Sequence, residues 1–256
     1  MSTNTRSLVE GRAPIVIESE NHTATMFFFH GLGDQGDGWA SIFRQEMRLG
    51  YFKYIVPNAA SRRVTLNFGM QMPAWYDLYG LTADSREDTE GIENAKNYVH
   101  VLVDEEIARG TPSDRIVLGG FSMGAALAIY AALTYSRPLG CVVSFSGFLL
   151  QRSKLPAAST ANLKIPIFLG HGTQDVLLPV TFGEMTEAAL KAFNPNVTLH
   201  KYSIDHTTSR QMTTEAPTKE HLREVLLFMF NWKKIAADSH KMIAEVYGED
   251  TITARA

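Results

Sequence analysis

Cysteine is nearly missing from this chain. Its 256 residues hold one, Cys141, so no internal disulfide can form and a reducing, cytoplasmic setting is expected. Long apolar runs are missing too: none approaches the roughly 20 residues that cross a bilayer as a helix, which argues against a transmembrane anchor. The opening residues MSTNTRSLVEGRAP are polar, without the apolar core of a secretory signal. Two Asn-x-Thr triplets, at Asn21 and Asn196, match the glycosylation pattern but, without a secretory route, read as chance. There is no charge excess either. A formal net charge of -3 gives no electrostatic reason to expect nucleic acid or an anionic membrane as partner, leaving at most peripheral membrane contact. No H-E-x-x-H and no paired Cys/His set is present, so neither a metal nor another cofactor is expected.

What is present is an ordinary globular composition, 45% hydrophobic and 20% charged, at a length one core can occupy. Short apolar runs recur at 25–30, 54–57, 116–121, 141–146, 165–170 and 197–202, most of them without strict alternation, as suits strands buried on both faces of a parallel sheet. Between them, residues 90–109 carry Ile92, Ala95, Val99, Leu102, Val103 and Ile107 at helical spacing, with Gly110 placed to cap the helix. Residues 123–135 have almost no polar face and read as a buried helix, and 217–235 as a longer amphipathic one that closes the fold. The expected architecture is α/β: a mostly parallel central sheet with helices on both faces. One domain over 24–235 is expected, flanked by an N-terminal extension (1–23) and a C-terminal extension (236–256) that is partly helical or disordered.

Gly120-Phe121-Ser122-Met123-Gly124 follows a predicted strand and opens a predicted helix, the setting of a nucleophile elbow and hence of the α/β-hydrolase fold. Glycines two before and two after the serine let strand and helix approach, and the turn aims Oγ toward the helix N-terminus, where backbone N–H groups favour negative charge. The bland alternative is a serine N-cap among small residues. A serine nucleophile needs a base, and of eight histidines only His206 lies in a loop just past the last strand and before the last long helix. The orienting acid should fall between the two in chain order at another strand end, which selects Asp175; Asp205 is the rival, but as the neighbour of His206 it has difficulty reaching the far imidazole nitrogen.

Residues 31–36, GLGDQG, match G-x-G-x-x-G after a strand and taken alone suggest a dinucleotide site. Two features oppose that: YIVPNA stands where an acidic strand end is required, and Asp34 and Asp37 would face a pyrophosphate. Read as His30-Gly31-Leu32-Gly33, the segment supplies an oxyanion loop instead, with the backbone N–H groups of Leu32 and Met123 as donors worth about 3 kcal/mol each in the transition state.

The chain resembles the acyl-protein thioesterases, within the phospholipase/carboxylesterase group of α/β-hydrolases. The matching segments are FFHGLGDQGDGWA, YIVPNAASRRVTLNFGMQMPAWYDLYGL, SREDTEGIENA, PSDRIVLGGFSMGAALAIYAAL and HGTQDVLLP, together with the placing of His206, and they span about residues 24–232. The resemblance implies hydrolysis of long-chain acyl thioesters on protein cysteines, with S-acylated proteins or lipid esters as substrates and no cofactor, and its triad falls on Ser122, Asp175 and His206. It further implies an acyl channel near Leu32, Trp75, Leu78, Phe148, Leu177, Leu178 and Phe182, positions that ordinary core packing would also explain. Several positions depart from the family. Met123 stands where glutamine is usual, Asp205-His206-Thr207 replaces Gly-His-Ser, Gly147-Phe148 replaces Cys-Trp, and no cysteine follows the initiator Met. Two other readings stay open: a lysophospholipase or small-ester carboxylesterase with little action on acyl-proteins, and a lipid-binding module with an inactive triad.

Overall fold

A computed structural model describes residues 2–45, 48–82, 84–159 and 161–206. The helix predicted at 217–235 and the extension at 236–256 lie outside the described residues.

In chain order the elements are α1 (Ser2–Val9), β1 (Ile15–Ile17), β2 (Ala24–Phe29), α2 (Gly36–Gln45), β3 (Phe52–Val56), β4 (Ser61–Val64), β5 (Met70–Pro73), α3 (Thr89–Ala108), β6 (Ile116–Phe121), α4 (Met123–Thr134), β7 (Cys141–Phe145), β8 (Ile167–Gly172), α5 (Val180–Lys191) and β9 (Val197–Tyr202). Among the described residues, seven strands form one sheet in the order β1-β3-β2-β6-β7-β8-β9, while β4 and β5 pair separately as a hairpin. Of these described strands, β1 runs antiparallel to β3 and the other neighbours in the large sheet are parallel. This is the mostly parallel sheet of an α/β-hydrolase.

Every residue of β2, β6 and β8 is buried, which is why their sequences show no alternation. Alternation still decides the layers. Phe27 and Phe29 enter a core shared with α3 and α4, whereas Met26 and Phe28 enter a second core with Trp39 and Phe43 of α2, so helices cover both faces. Each fully buried phenylalanine contributes about 2 kcal/mol. In α4 every residue from Met123 to Leu133 is buried, as its lack of a polar face requires. Helix α3 starts at an N-cap, Asp88, whose side chain accepts from the Gly91 N–H, and Gly110 at φ +107° turns the chain after its end. The segment before residue 24 supplies α1 and the edge strand β1, and Val9 is fully buried.

Candidate active site

Strand β6 delivers Ser122 into the one-residue turn that precedes α4. The serine sits at φ 52°, ψ −118°, a strained conformation fixed from both sides: its N–H donates to the Phe145 carbonyl (2.8 Å), and its carbonyl accepts from Ala126 (3.0 Å) in the first helical turn. The flanking glycines are required by approach distances. A Cβ on Gly120 would lie 2.5 Å from the Gly124 carbonyl oxygen, and one on Gly124 would lie 2.1 Å from that of Phe29. Ser122 remains partly exposed while its neighbours Phe121 and Met123 are buried.

The structure brings Asp175 and His206 together: His206 Nδ1 lies 2.5 Å from Asp175 Oδ2. A carboxylate only accepts, so Nδ1 carries the proton and Nε2 keeps its lone pair, the tautomer a general base needs. The same carboxylate is held by its other oxygen, which accepts from the N–H groups of Leu177 (3.0 Å) and Leu178 (2.7 Å). The imidazole packs against the Phe121 ring at 4.9 Å between centroids, which sets it over the residue preceding Ser122. Asp205 is exposed, and its place against Gly172 is taken by its backbone.

A second histidine, His171, at the end of β8, stands 3.8 Å from Asp175 Oδ2. Burial pushes its pKa below the usual imidazole value, and its Nε2 bonds the Leu178 carbonyl at 2.7 Å. It is a neutral wall that ties down the loop carrying Asp175. A Cβ on Gly183 would meet its ring at 2.8 Å, so α5 needs glycine there.

The loop after β2 lies against Ser122. A Cβ on Gly31 would come 3.1 Å from the Phe121 ring and 3.5 Å from Ser122 Cβ. Gly33, at φ +77°, donates its N–H to the Pro73 carbonyl (2.9 Å), so the β4–β5 hairpin braces this loop. His30 is fully buried, and Trp75 Nε1 donates to its carbonyl at 2.9 Å. Burial drives the His30 imidazole down to about 4. The Met123 side chain is packed in the core and its carbonyl accepts from the Tyr76 hydroxyl (3.3 Å), so a methionine in place of glutamine leaves the elbow backbone free to act.

Among the positions implied for an acyl channel, Leu78, Phe148 and Phe182 line one groove with Leu81, Leu149 and Met185. Leu32 is half-buried beside the core, Leu178 is buried, Leu177 is 60% exposed, and Trp75 lies fully inside the core, stacked near Tyr98. Gly147, where the family often has cysteine, has no room for more: a Cβ would sit 2.3 Å from Ser144 Oγ. Among the described residues, no helix is long and apolar enough to cross a membrane.

The chain is similar to known proteins along most of its length. The phospholipase/carboxylesterase family pattern matches residues 10–226. A short second match, to the HTH domain in Mos1 transposase, covers residues 219–256, outside the described residues. Acyl-protein thioesterase 1 of Schizosaccharomyces pombe is 46% identical over 166 residues, 64% of this chain and 74% of the relative. Its namesake in Neurospora crassa is 38% identical over 203 residues, 75% of this chain and 83% of the relative. Among solved structures, Zea mays acyl-protein thioesterase 2 superposes with a TM-score of 0.72 at 31% identity, covering 86% of this chain and 99% of its own.

Proposed function

The chain belongs to the phospholipase/carboxylesterase family and is a hydrolase, and from that premise we propose that it removes long-chain acyl groups from protein cysteines by hydrolysing the thioester, with related carboxylic esters as further substrates. Two observations support this reading: the 2.5 Å contact between Asp175 and His206, and the strained backbone of Ser122 in the turn that opens α4.

In the proposed cycle His206 Nε2 takes the Ser122 proton as Oγ attacks the acyl carbonyl. Asp175 holds the imidazole and stabilises its cationic form. The oxyanion is received by the N–H groups of Leu32 and Met123. The collapsing intermediate expels the cysteine thiolate, which leaves protonated by the imidazolium, and water activated by His206 then releases the fatty acid from Ser122. The acyl chain lies along the apolar positions Leu32, Leu78, Phe148, Leu177 and Phe182, with Trp75 and Leu178 supporting them from the core.

The test is hydrolysis of a palmitoylated peptide against a short-chain p-nitrophenyl ester, with Ser122→Ala as control. Efficient turnover of the long thioester, abolished in the variant, is expected. Turnover of the short ester alone would make the protein a carboxylesterase instead.

A further inference from the structure

The proposed oxyanion loop is held from behind by the segment that follows α1. Residues 9–11 pair antiparallel with 58–60: the Ala60 N–H donates to the Val9 carbonyl (2.8 Å) and the Gly11 N–H to the Asn58 carbonyl (2.7 Å). Asn58 is fully buried; its Nδ2 donates to the Ala13 carbonyl (3.0 Å), and its Oδ1 accepts from the Gly36 N–H (2.8 Å) where α2 begins. The next N–H, that of Ala59, donates to His30 Nε2 (3.0 Å). Since Nε2 accepts, Nδ1 carries the proton of the neutral ring, and it donates to the Gly31 carbonyl at 2.8 Å.

The far end of the segment is anchored as firmly. Glu10 accepts from the Tyr98 hydroxyl (2.7 Å) and pairs with Arg6 (3.0 Å), which also reaches Glu105 on α3 (2.7 Å). Nothing larger than glycine fits at residue 11, where a Cβ would lie 2.5 Å from the Ala59 carbonyl oxygen.

We propose that residues 9–13 act as a strap which, through Asn58, Ala59 and His30, positions Gly31 and so aims the Leu32 N–H at the oxyanion. His30, Asn58 and Gly11 are positioning residues in this scheme. It rests on the proposed oxyanion hole at Leu32 and Met123. The physical basis is the steep distance dependence of such donors: losing one costs about 10²–10³ in kcat, and a shift of about 1 Å about 10².

The experiment compares wild type with Gly11→Val, His30→Gln and Tyr98→Phe, each assayed well below its melting midpoint. Two quantities are read: kcat and KM on the acyl thioester, and the inhibition constant of an acyl trifluoromethyl ketone, whose adduct with Ser122 places an oxyanion in the hole. Gly11→Val and His30→Gln should lower kcat about tenfold or more, with KM within about twofold of wild type, and weaken the ketone by the same factor as kcat. Tyr98→Phe keeps the packing and loses only the Glu10 bond, so it folds even if the others do not; a severalfold loss of kcat with a matching loss for the ketone is expected. Variants with unchanged kcat, or with kcat lowered while ketone affinity holds, overturn the strap. Ser122→Ala separates the two readings. If it still turns over thioester, the proposed active site fails; if it is dead while the strap variants match wild type, only the strap does.

Discussion

A single atom pair favours Asp175 over Asp205 as the proposed partner of His206. Asp175 reaches His206 Nδ1 at 2.5 Å with its second oxygen anchored on two backbone donors, so carboxylate and imidazole are fixed together, while Asp205 is exposed. Asp175→Asn keeps size and shape but presents an amide that can donate to Nδ1, which favours the tautomer with the proton on Nε2, where it cannot accept from serine. The expected result is a fall in kcat of about 10⁴-fold. Asp205→Asn is expected to leave kcat near wild type and stability within about 0.5 kcal/mol. Steady-state kinetics on both variants check this, and the reverse ranking would move the acid to Asp205.

At the scale of elements, what was legible in the sequence were segments that carry an apolar run or apolar residues at helical spacing. The runs at 116–121 and 197–202 coincide with β6 and β9, and the predicted helices at 90–109 and 123–135 with α3 and α4 to within a residue. The proposed elbow and its proposed acid could be picked out because each follows the end of a strand, where chain order constrains function. Missed were the helices α2 and α5, and also the short pieces β1 (IVI), the β4–β5 hairpin (SRRV and MQMP) and α1, whose sequences are too brief or too polar for a periodic signal. Nothing local in the sequence shows that the buried His30 ring accepts from the Ala59 N–H or that the buried His171 ring bonds the Leu178 carbonyl. The hairpin tip carries a prediction of its own. Phe68 is 97% exposed and held at φ 55°, the left-handed region, so its ring gains no burial while its backbone is strained. Phe68→Gly should stabilise the protein by up to about 1 kcal/mol, raising Tm by about 2–4 °C; a lower Tm would show that the ring is not idle in the folded state.

Across the whole molecule, the buried histidines and the paired carboxylates tie stability to pH in one direction below neutrality. Burial lowers the pKa of His30 to about 4 and lowers those of His100 and His171 as well, so each is kept neutral in the fold. Above the unfolded histidine value of about 6.5, folded and unfolded chains bind the same protons at these sites and nothing is lost. Between about 6.5 and each folded value the unfolded chain binds more protons, so stability falls as pH falls. For His30 the window runs down to about 4 and amounts to about 3 kcal/mol. Two carboxylates extend the same slope. Glu93, held by Lys154, Lys96 and Tyr130, is lowered to about 2, and Glu106, fully enclosed with Thr25, Lys53 and Thr111, is lowered as well; both lose their contribution as pH drops through the carboxylate range. The protein should therefore be most stable near neutral pH, with Tm declining continuously from about pH 6.5 downward. Melting curves from pH 7.5 to 4 check the slope, and His30→Gln isolates one share of it. The variant should be less stable than wild type at pH 7.5, having lost two buried hydrogen bonds, yet lose less stability than wild type on acidification, so that the difference between the two narrows by about 3 kcal/mol toward pH 4. Parallel curves would mean that the His30 ring takes up its proton in the folded protein, and that the bonds to Ala59 and Gly31 do not hold it neutral.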